Sequence, residues 1–172
     1  MNSLHEQVVL VDKDDKPIGL MEKLEAHQKG FLHRAFSVLL FNDQKELLLQ
    51  QRAFDKYHCG GLWTNTCCSH PYPEEDVKDA ALRRLKEEMG IECELEKSFE
   101  FIYKAKFDNG LTENEYDHVF IGTFSGKPVI NKDEVADWKY LSMAALEQDI
   151  ADNPGYYTPW FKIIIDTMKV SS

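Results

Sequence analysis

Between Glu74 and Met89, Val77, Ala81, Leu85 and Met89 recur at every fourth position, joined by Ala80, and no other segment constrains its own conformation so firmly. That spacing predicts a helix over 74–89 with one apolar stripe, because residues four apart share a helix face. Gly90 follows where a helix can end in the left-handed region. The segments around it read as strands. Gln7–Asp12 is a strand followed by a turn at Lys13–Pro17, and Ile18–His27 leads into a polar connection. Arg34–Phe41 and Glu46–Arg52 flank Asn42-Asp43-Gln44-Lys45 as a hairpin would, and Gly60-Gly61 opens a further short strand. Phe99–Phe107 places Phe, Phe, Tyr, Ala and Phe on one face, turns at Asp108-Asn109-Gly110 and returns over Leu111–Phe124. Trp138–Leu141 reads as a strand, Ser142–Ile150 as a helix capped by Ser142, and Thr158-Pro159 as the start of a last helix through Met168. Hairpins interspersed with helices predict an α+β fold, a mixed sheet with helices on its faces, and not a doubly wound parallel sheet.

The chain has 172 residues, enough for one domain spanning 1–172. Its formal charge of −10 argues against nonspecific nucleic-acid binding. An anionic small substrate would need a local basic cluster or metal ions to offset that field. No apolar run is long enough to span a membrane, and Met1–His5 lacks the basic start and apolar stretch of a signal peptide. Cys59, Cys67, Cys68 and Cys93 form no CxxC pair, so free thiols in a reducing cytosol, and a cytoplasmic monomer, are expected.

Chemistry concentrates just before the helix. In Trp63-Thr64-Asn65-Thr66-Cys67-Cys68-Ser69-His70-Pro71 a cysteine stands two residues before a histidine, and a glutamate-rich helix follows. A thiol, an imidazole and carboxylates in one stretch can handle protons and metals together. The helix itself, with Glu75 eight residues before Arg83 and then Arg84-Leu85-Lys86-Glu87-Glu88-Met89-Gly90, resembles a Nudix box. Such a helix presents carboxylates on one face to hold divalent cations against a diphosphate. Ser69 stands at the box's first glycine, and Arg84 replaces a glutamate. Arg84 shares a face with Glu88, so it could bind phosphate directly. The plain alternative is a solvated face with Arg83–Glu87 and Arg84–Glu88 pairs.

Glu113-Asn114-Glu115 places two carboxylates on one side of a strand, where they repel unless solvated, protonated or bridged by a cation. His27, His33 and His70 would complete a five- or six-coordinate site for Mn²⁺, Mg²⁺ or Zn²⁺. His27 and His33 are six apart, which is not one helical face, so a loop or strand is expected for them. An exposed strand edge and structural histidines are the alternative.

Taken in order, Glu22-Lys23, His27, His33–Ser37, Gln51-Arg52-Ala53, the Trp63–Pro71 run, the altered Nudix helix, Glu113–Glu115 and Thr158-Pro159-Trp160 resemble type I isopentenyl diphosphate isomerase, a Nudix-fold family, over about Val8–Met168. The resemblance implies a metal-dependent shift of a double bond between isopentenyl and dimethylallyl diphosphate through a tertiary carbocation, with no cleavage of the diphosphate. It implies one metal on His27, His33, His70, Glu113 and Glu115, and a second, Mg²⁺, arriving with the diphosphate at Glu88 and the Cys68 carbonyl. It implies that Cys68 and Glu115 flank the isoprenoid as proton-transfer groups, with Tyr103 near Glu115 and Trp160 over the cationic carbon. Lys23, Arg52, Lys56, Ser69 and Arg84 match the diphosphate-binding positions. His27 and His33 stand six apart where the family's pattern has seven. Cys67 reads as a small packing residue. A Nudix pyrophosphohydrolase is the alternative function, and Arg84 counts against it.

Overall fold

A computed structural model describes residues 7–56 and 58–171. Met1–His5, read above for a targeting signal, lie outside the described residues. Among the described residues, no helix is long and apolar enough to cross a membrane.

The organising strand is β3 (His33–Phe41). Over its whole length it runs parallel to β8 (Thr112–Thr123), His33 beside Glu115 and Phe41 beside Thr123. β8 returns antiparallel to β7 (Glu96–Lys106) through the Asp108–Gly110 turn, as the alternation predicted. The other edge of β3 is shared. β1 (Gln7–Val11) meets it at His33, and β6 (Cys67–Ser69) pairs with Phe36–Val38. The predicted hairpin to β4 (Leu47–Arg52) closes only at Phe41 and Leu47 and then splays. β2 (Pro17–Glu22) pairs with β1, while β4 pairs with β5 (Trp63–Thr64) and β9 (Val135–Leu141).

Both faces of this mixed sheet are covered, which is why Val38–Phe41 and Leu47–Leu49 read as unbroken apolar runs. Alternation divides them: Phe36, Val38, Leu40 and Leu48 face α2 (Val77–Met89), packing with Ala81, Leu85 and Met89. Leu39, Leu47 and Leu49 face α3 (Met143–Asp152) and α4 (Pro159–Ser171), packing with Leu146, Phe161 and Ile164. Ser142 caps α3, its side chain accepting the Ala145 N–H. The sandwich of a mixed sheet between helices is thus the predicted class.

Two local expectations are corrected. The helix α2 starts at Val77, not Glu74. Asp76 caps it, Glu74 takes φ +66°, and the Glu75 carboxylate is diverted to the Tyr72 N–H and to Arg83. Its end is as expected: Gly90 has φ +65°, and a Cβ there would lie 2.7 Å from the Val129 carbonyl oxygen. His27 lies on neither loop nor strand but on a short helix, α1 (Lys23–Lys29), whose first N–H groups are capped by the Glu22 carboxylate.

Candidate active site

Backbone carbonyls aim two of the histidines. On α1, His27 Nδ1 is 2.7 Å from the Lys23 carbonyl oxygen one turn earlier. At the first residue of β3, His33 Nδ1 is 2.9 Å from the Phe31 carbonyl oxygen. Each Nδ1–H donates to its carbonyl, leaving Nε2 for another partner. Glu113 and Glu115 point the same way from β8, and both are buried. His27 Nε2 is 3.3 Å from Glu113 Oε1, and His33 Nε2 and His70 Nε2 are 3.4 and 2.9 Å from Glu115 Oε2. The ring centroids of the three imidazoles lie 5.0 to 5.9 Å apart.

This donor set fits a divalent cation. The ligating atoms of His27, His33, His70 and Glu115 lie within 4.8 Å of one another. Buried imidazoles and carboxylates suit such an ion. Among the described residues, His33 Nε2 and Glu113 Oε2 are buried without a hydrogen bond, the condition of atoms meant for a ligand.

Charge in the cluster is interdependent. Burial, and then the Glu113 charge, push the Glu115 carboxyl up to about 7. Burial also works against ionisation of Glu113, but the imidazoles of His58 and His27 outweigh it and hold that carboxyl well below its ordinary value. Burial would lower His27, yet its contact with Glu113 leaves the imidazole above its usual value. His70 is held well below by burial and by His33 and His27.

The Trp63–Pro71 run is positioned by its polar side chains. Thr64, Asn65 and Thr66 are fully buried. Asn65 Nδ2 donates to the carbonyls of Val38 and Cys67, and Thr66 Oγ1 donates to the Leu48 carbonyl and accepts from Leu40 N–H. These bonds fasten β6 between β3 and β4. Its two cysteines then part: Cys67 enters the core facing α2, and Cys68 turns to the other side. Burial holds the Cys68 thiol well above its usual range, although Arg52 Nη1 at 4.0 Å opposes that. All four cysteines are free thiols.

Trp160 reaches the same region because the start of α4 is tied to β5. Thr158 N–H donates to the Trp63 carbonyl, and its hydroxyl lies 2.8 Å from the Thr64 hydroxyl. The indole is buried, with Tyr103 edge-on at 6.1 Å and the Arg52 guanidinium 5.3 Å from its ring centre. It both anchors α4 in the core and lines the cavity. Tyr103 and Glu115 are directly opposed on β7 and β8.

A cavity of about 590 Å³ opens over these groups. Cys68, His70, Glu113, Glu115 and Trp160 line it, while His27, His33 and Tyr103 lie buried behind. Ser69 lines it too, as do Lys23, Arg52, Lys56 and Arg84, which give the local basic cluster that an acidic chain needs for an anionic ligand. Acids balance these cations. Lys56 pairs with Glu134, and Arg84 lies 2.6 Å from Glu88 and 3.6 Å from Glu134. The Arg83–Glu87 and Arg84–Glu88 pairs exist as the plain alternative held, but Glu88 is buried and no solvated face. Its other oxygen accepts from Gln50 Nε2.

The chain matches the NUDIX domain family over residues 31–161. It is 53% identical to isopentenyl-diphosphate Delta-isomerase 2 of Photorhabdus laumondii over 166 residues, covering 96% of this chain and 94% of that relative. It is 50% identical to isopentenyl-diphosphate Delta-isomerase 2 of Aromatoleum aromaticum, covering 95% and 86%. The chain belongs to the isopentenyl-diphosphate Delta-isomerase family. Among solved structures, DR0079 from Deinococcus radiodurans superposes with a TM-score of 0.72 at 16% identity, covering 86% of this chain and 90% of that one. A MutT NUDIX hydrolase from Burkholderia pseudomallei superposes with 0.61 at 20%, covering 78% and 96%. These two likenesses show the fold.

The candidate site also holds residues that the sequence did not single out. His58, on the loop after β4, is buried with Nε2 3.4 Å from Glu113 Oε1. Gln50 and Glu134 organise the basic side, as described above. Asp117 is buried next along the carboxylate face of β8, where Ser37 Oγ donates to it. Extending Glu113 and Glu115 by the same two-residue step leads to Asp117; His58 has no such periodic signal.

Proposed function

We propose that this protein interconverts isopentenyl diphosphate and dimethylallyl diphosphate, and that residues 1–172 act as one Nudix-fold unit. The observation that carries the reading is the meeting of three unlike groups in one cavity: a His/Glu cluster, the Cys68 thiol, and an indole beside a basic wall.

The chemistry asks for such a combination. An alkene is a poor base, and protonating it at C4 makes a tertiary carbocation at C3 that water would trap. Loss of a C2 proton then gives the product. A donor, an acceptor and exclusion of water are needed together. In this reading Cys68 and Glu115 handle the two protons on either side of the isoprenoid, and Tyr103, directly across from Glu115, is near enough to act with it. Trp160 offers its face to the cationic carbon, worth about 2 kcal/mol when desolvated. Lys23, Arg52, Lys56, Ser69 and Arg84 hold the diphosphate.

His27, His33, His70, Glu113 and Glu115 would hold Mn²⁺, Mg²⁺ or Zn²⁺, and Glu88 with the Cys68 carbonyl would hold a Mg²⁺ brought by the substrate. Such cations supply the charge that lets two neighbouring carboxylates and a diphosphate coexist. The pyrophosphohydrolase alternative lacks support at Arg84, whose guanidinium occupies the side of α2 where that activity's box has a glutamate. We further propose a cytoplasmic monomer acting on a small allylic or homoallylic diphosphate, without nucleic acid or membrane.

Cys68→Ala and Glu115→Gln should each abolish turnover with circular dichroism unchanged, while Cys67→Ala, a core substitution, keeps it. Retained activity in both of the first two variants would sink the assignment.

A further inference from the structure

His58 brings a fourth imidazole to the cluster, from a loop outside the five-residue set. Its Nε2 lies 3.4 Å from Glu113 Oε1, the same oxygen that His27 Nε2 approaches at 3.3 Å. The ring is clamped. It stacks on Phe107 with centroids 5.1 Å apart and planes 9° apart, and it meets Trp160 edge-on at 6.0 Å. Its backbone carbonyl accepts from Arg52 Nη2 at 3.4 Å. His58 therefore forms the cavity wall between Glu113 and the indole.

His27, His58 and Glu113 make a second group of close ligating atoms, sharing His27 with the first. A separate ion there is ruled out by valence. His27 Nδ1 is engaged with the Lys23 carbonyl, and Nε2 has one lone pair, which cannot serve two cations. His58 can then either ligate the same ion or act on Glu113 itself, and its Nε2 contact with Glu113 Oε1 favours the second. We propose that His58 is a positioning residue: its imidazole N–H donates to Glu113 Oε1 and fixes that carboxylate, leaving Oε2 to face a cation at the shared cluster. Oε2 is buried and makes no hydrogen bond among the described residues, which suits it to that task. The assignment rests on the reading of the cluster as a divalent metal site. Hydrogen-bond partners of metal ligands typically change metal affinity by ~10–100-fold when removed.

The test is Mn²⁺ titration by calorimetry and chelator competition on the wild type, His58→Phe and His58→Gln, with melting of each metal-free protein as the control for folding. His58→Phe should weaken Mn²⁺ binding by ~10–100-fold. His58→Gln, which keeps an N–H donor, should recover most of that loss. The d–d spectrum of the Co²⁺ form should report the same coordination number in wild type and both variants. Wild-type affinity in both variants would overturn the assignment alone. A changed coordination number would overturn it in favour of direct ligation. A wild type that binds no Mn²⁺ would remove the metal-site reading, and this assignment with it.

Discussion

Tyr103 faces Glu115 directly across β7 and β8, and its hydroxyl is buried with no hydrogen-bond partner among the described residues. Burial, with the Glu113 and Glu115 charges, raises this phenol far above its ordinary pKa, so it is a neutral donor. An unsatisfied buried hydroxyl costs ~1–3 kcal/mol. Its retention at this spot is explained if the group works during turnover.

Tyr103→Phe separates the two possibilities. Losing a proton-transfer partner predicts a fall in kcat of ~10²–10⁴-fold. Losing an unsatisfied hydroxyl predicts a melting temperature equal to or above the wild type. A variant with unchanged kcat would mean that Tyr103 only fills space beside Trp160.

Metal removal should destabilise the protein, because it leaves Glu113 and Glu115 side by side. Readdition of Mn²⁺ at 100 times its Kd should restore about 2.7 kcal/mol. Glu115 and His27 both hold protons above their ordinary values, so cation entry displaces protons. The melting-temperature gain on adding metal should therefore be largest well above pH 7 and shrink as the pH falls through about 7. A gain that grows on acidification would contradict this assignment of charge.

The approach to α2 gives a prediction on stability alone. Glu75 holds Arg83 in a two-pronged pair at 2.8 and 2.9 Å, and the guanidinium lies 3.6 Å over the Tyr72 ring centre. Burial raises the Glu75 carboxyl, but Arg83 and the Tyr72 N–H outweigh it and hold it below 4.5. A depressed carboxylate stabilises above its unfolded pKa and loses that contribution as pH falls through its folded one. Glu75→Gln should cost about 1 kcal/mol at neutral pH, and the gap should close as acid is added below 4.5. Denaturant melts of both proteins across that range provide the measurement.

What the sequence could disclose follows from the range of each interaction. The β7–β8 hairpin is written locally, in alternating aromatics and an Asp-Asn-Gly turn. The Ser142 cap and the Gly90 stop are equally local. The short helix α1 is not legible, because seven residues show little periodicity and its start depends on the side chain of Glu22. That is why His27 reads as a loop or strand residue although a helix aims it. The pairing of β3 with β8, which sets His33 beside Glu115, joins residues far apart in sequence and leaves no local trace. The three histidines and two glutamates could be listed together from their chemistry, but their convergence is not written in the sequence. His58 and Gln50 show no period of their own, and their contacts with Glu113 and Glu88 emerge only from the fold.

The most direct measurement is incubation with isopentenyl diphosphate and divalent metal in D₂O, followed by NMR of the carbon skeleton and assay of released phosphate. Isomerisation by proton transfer gives dimethylallyl diphosphate carrying deuterium at carbon, with the diphosphate intact. Phosphate release with no deuterium on carbon would contradict it and assign the cavity to hydrolysis.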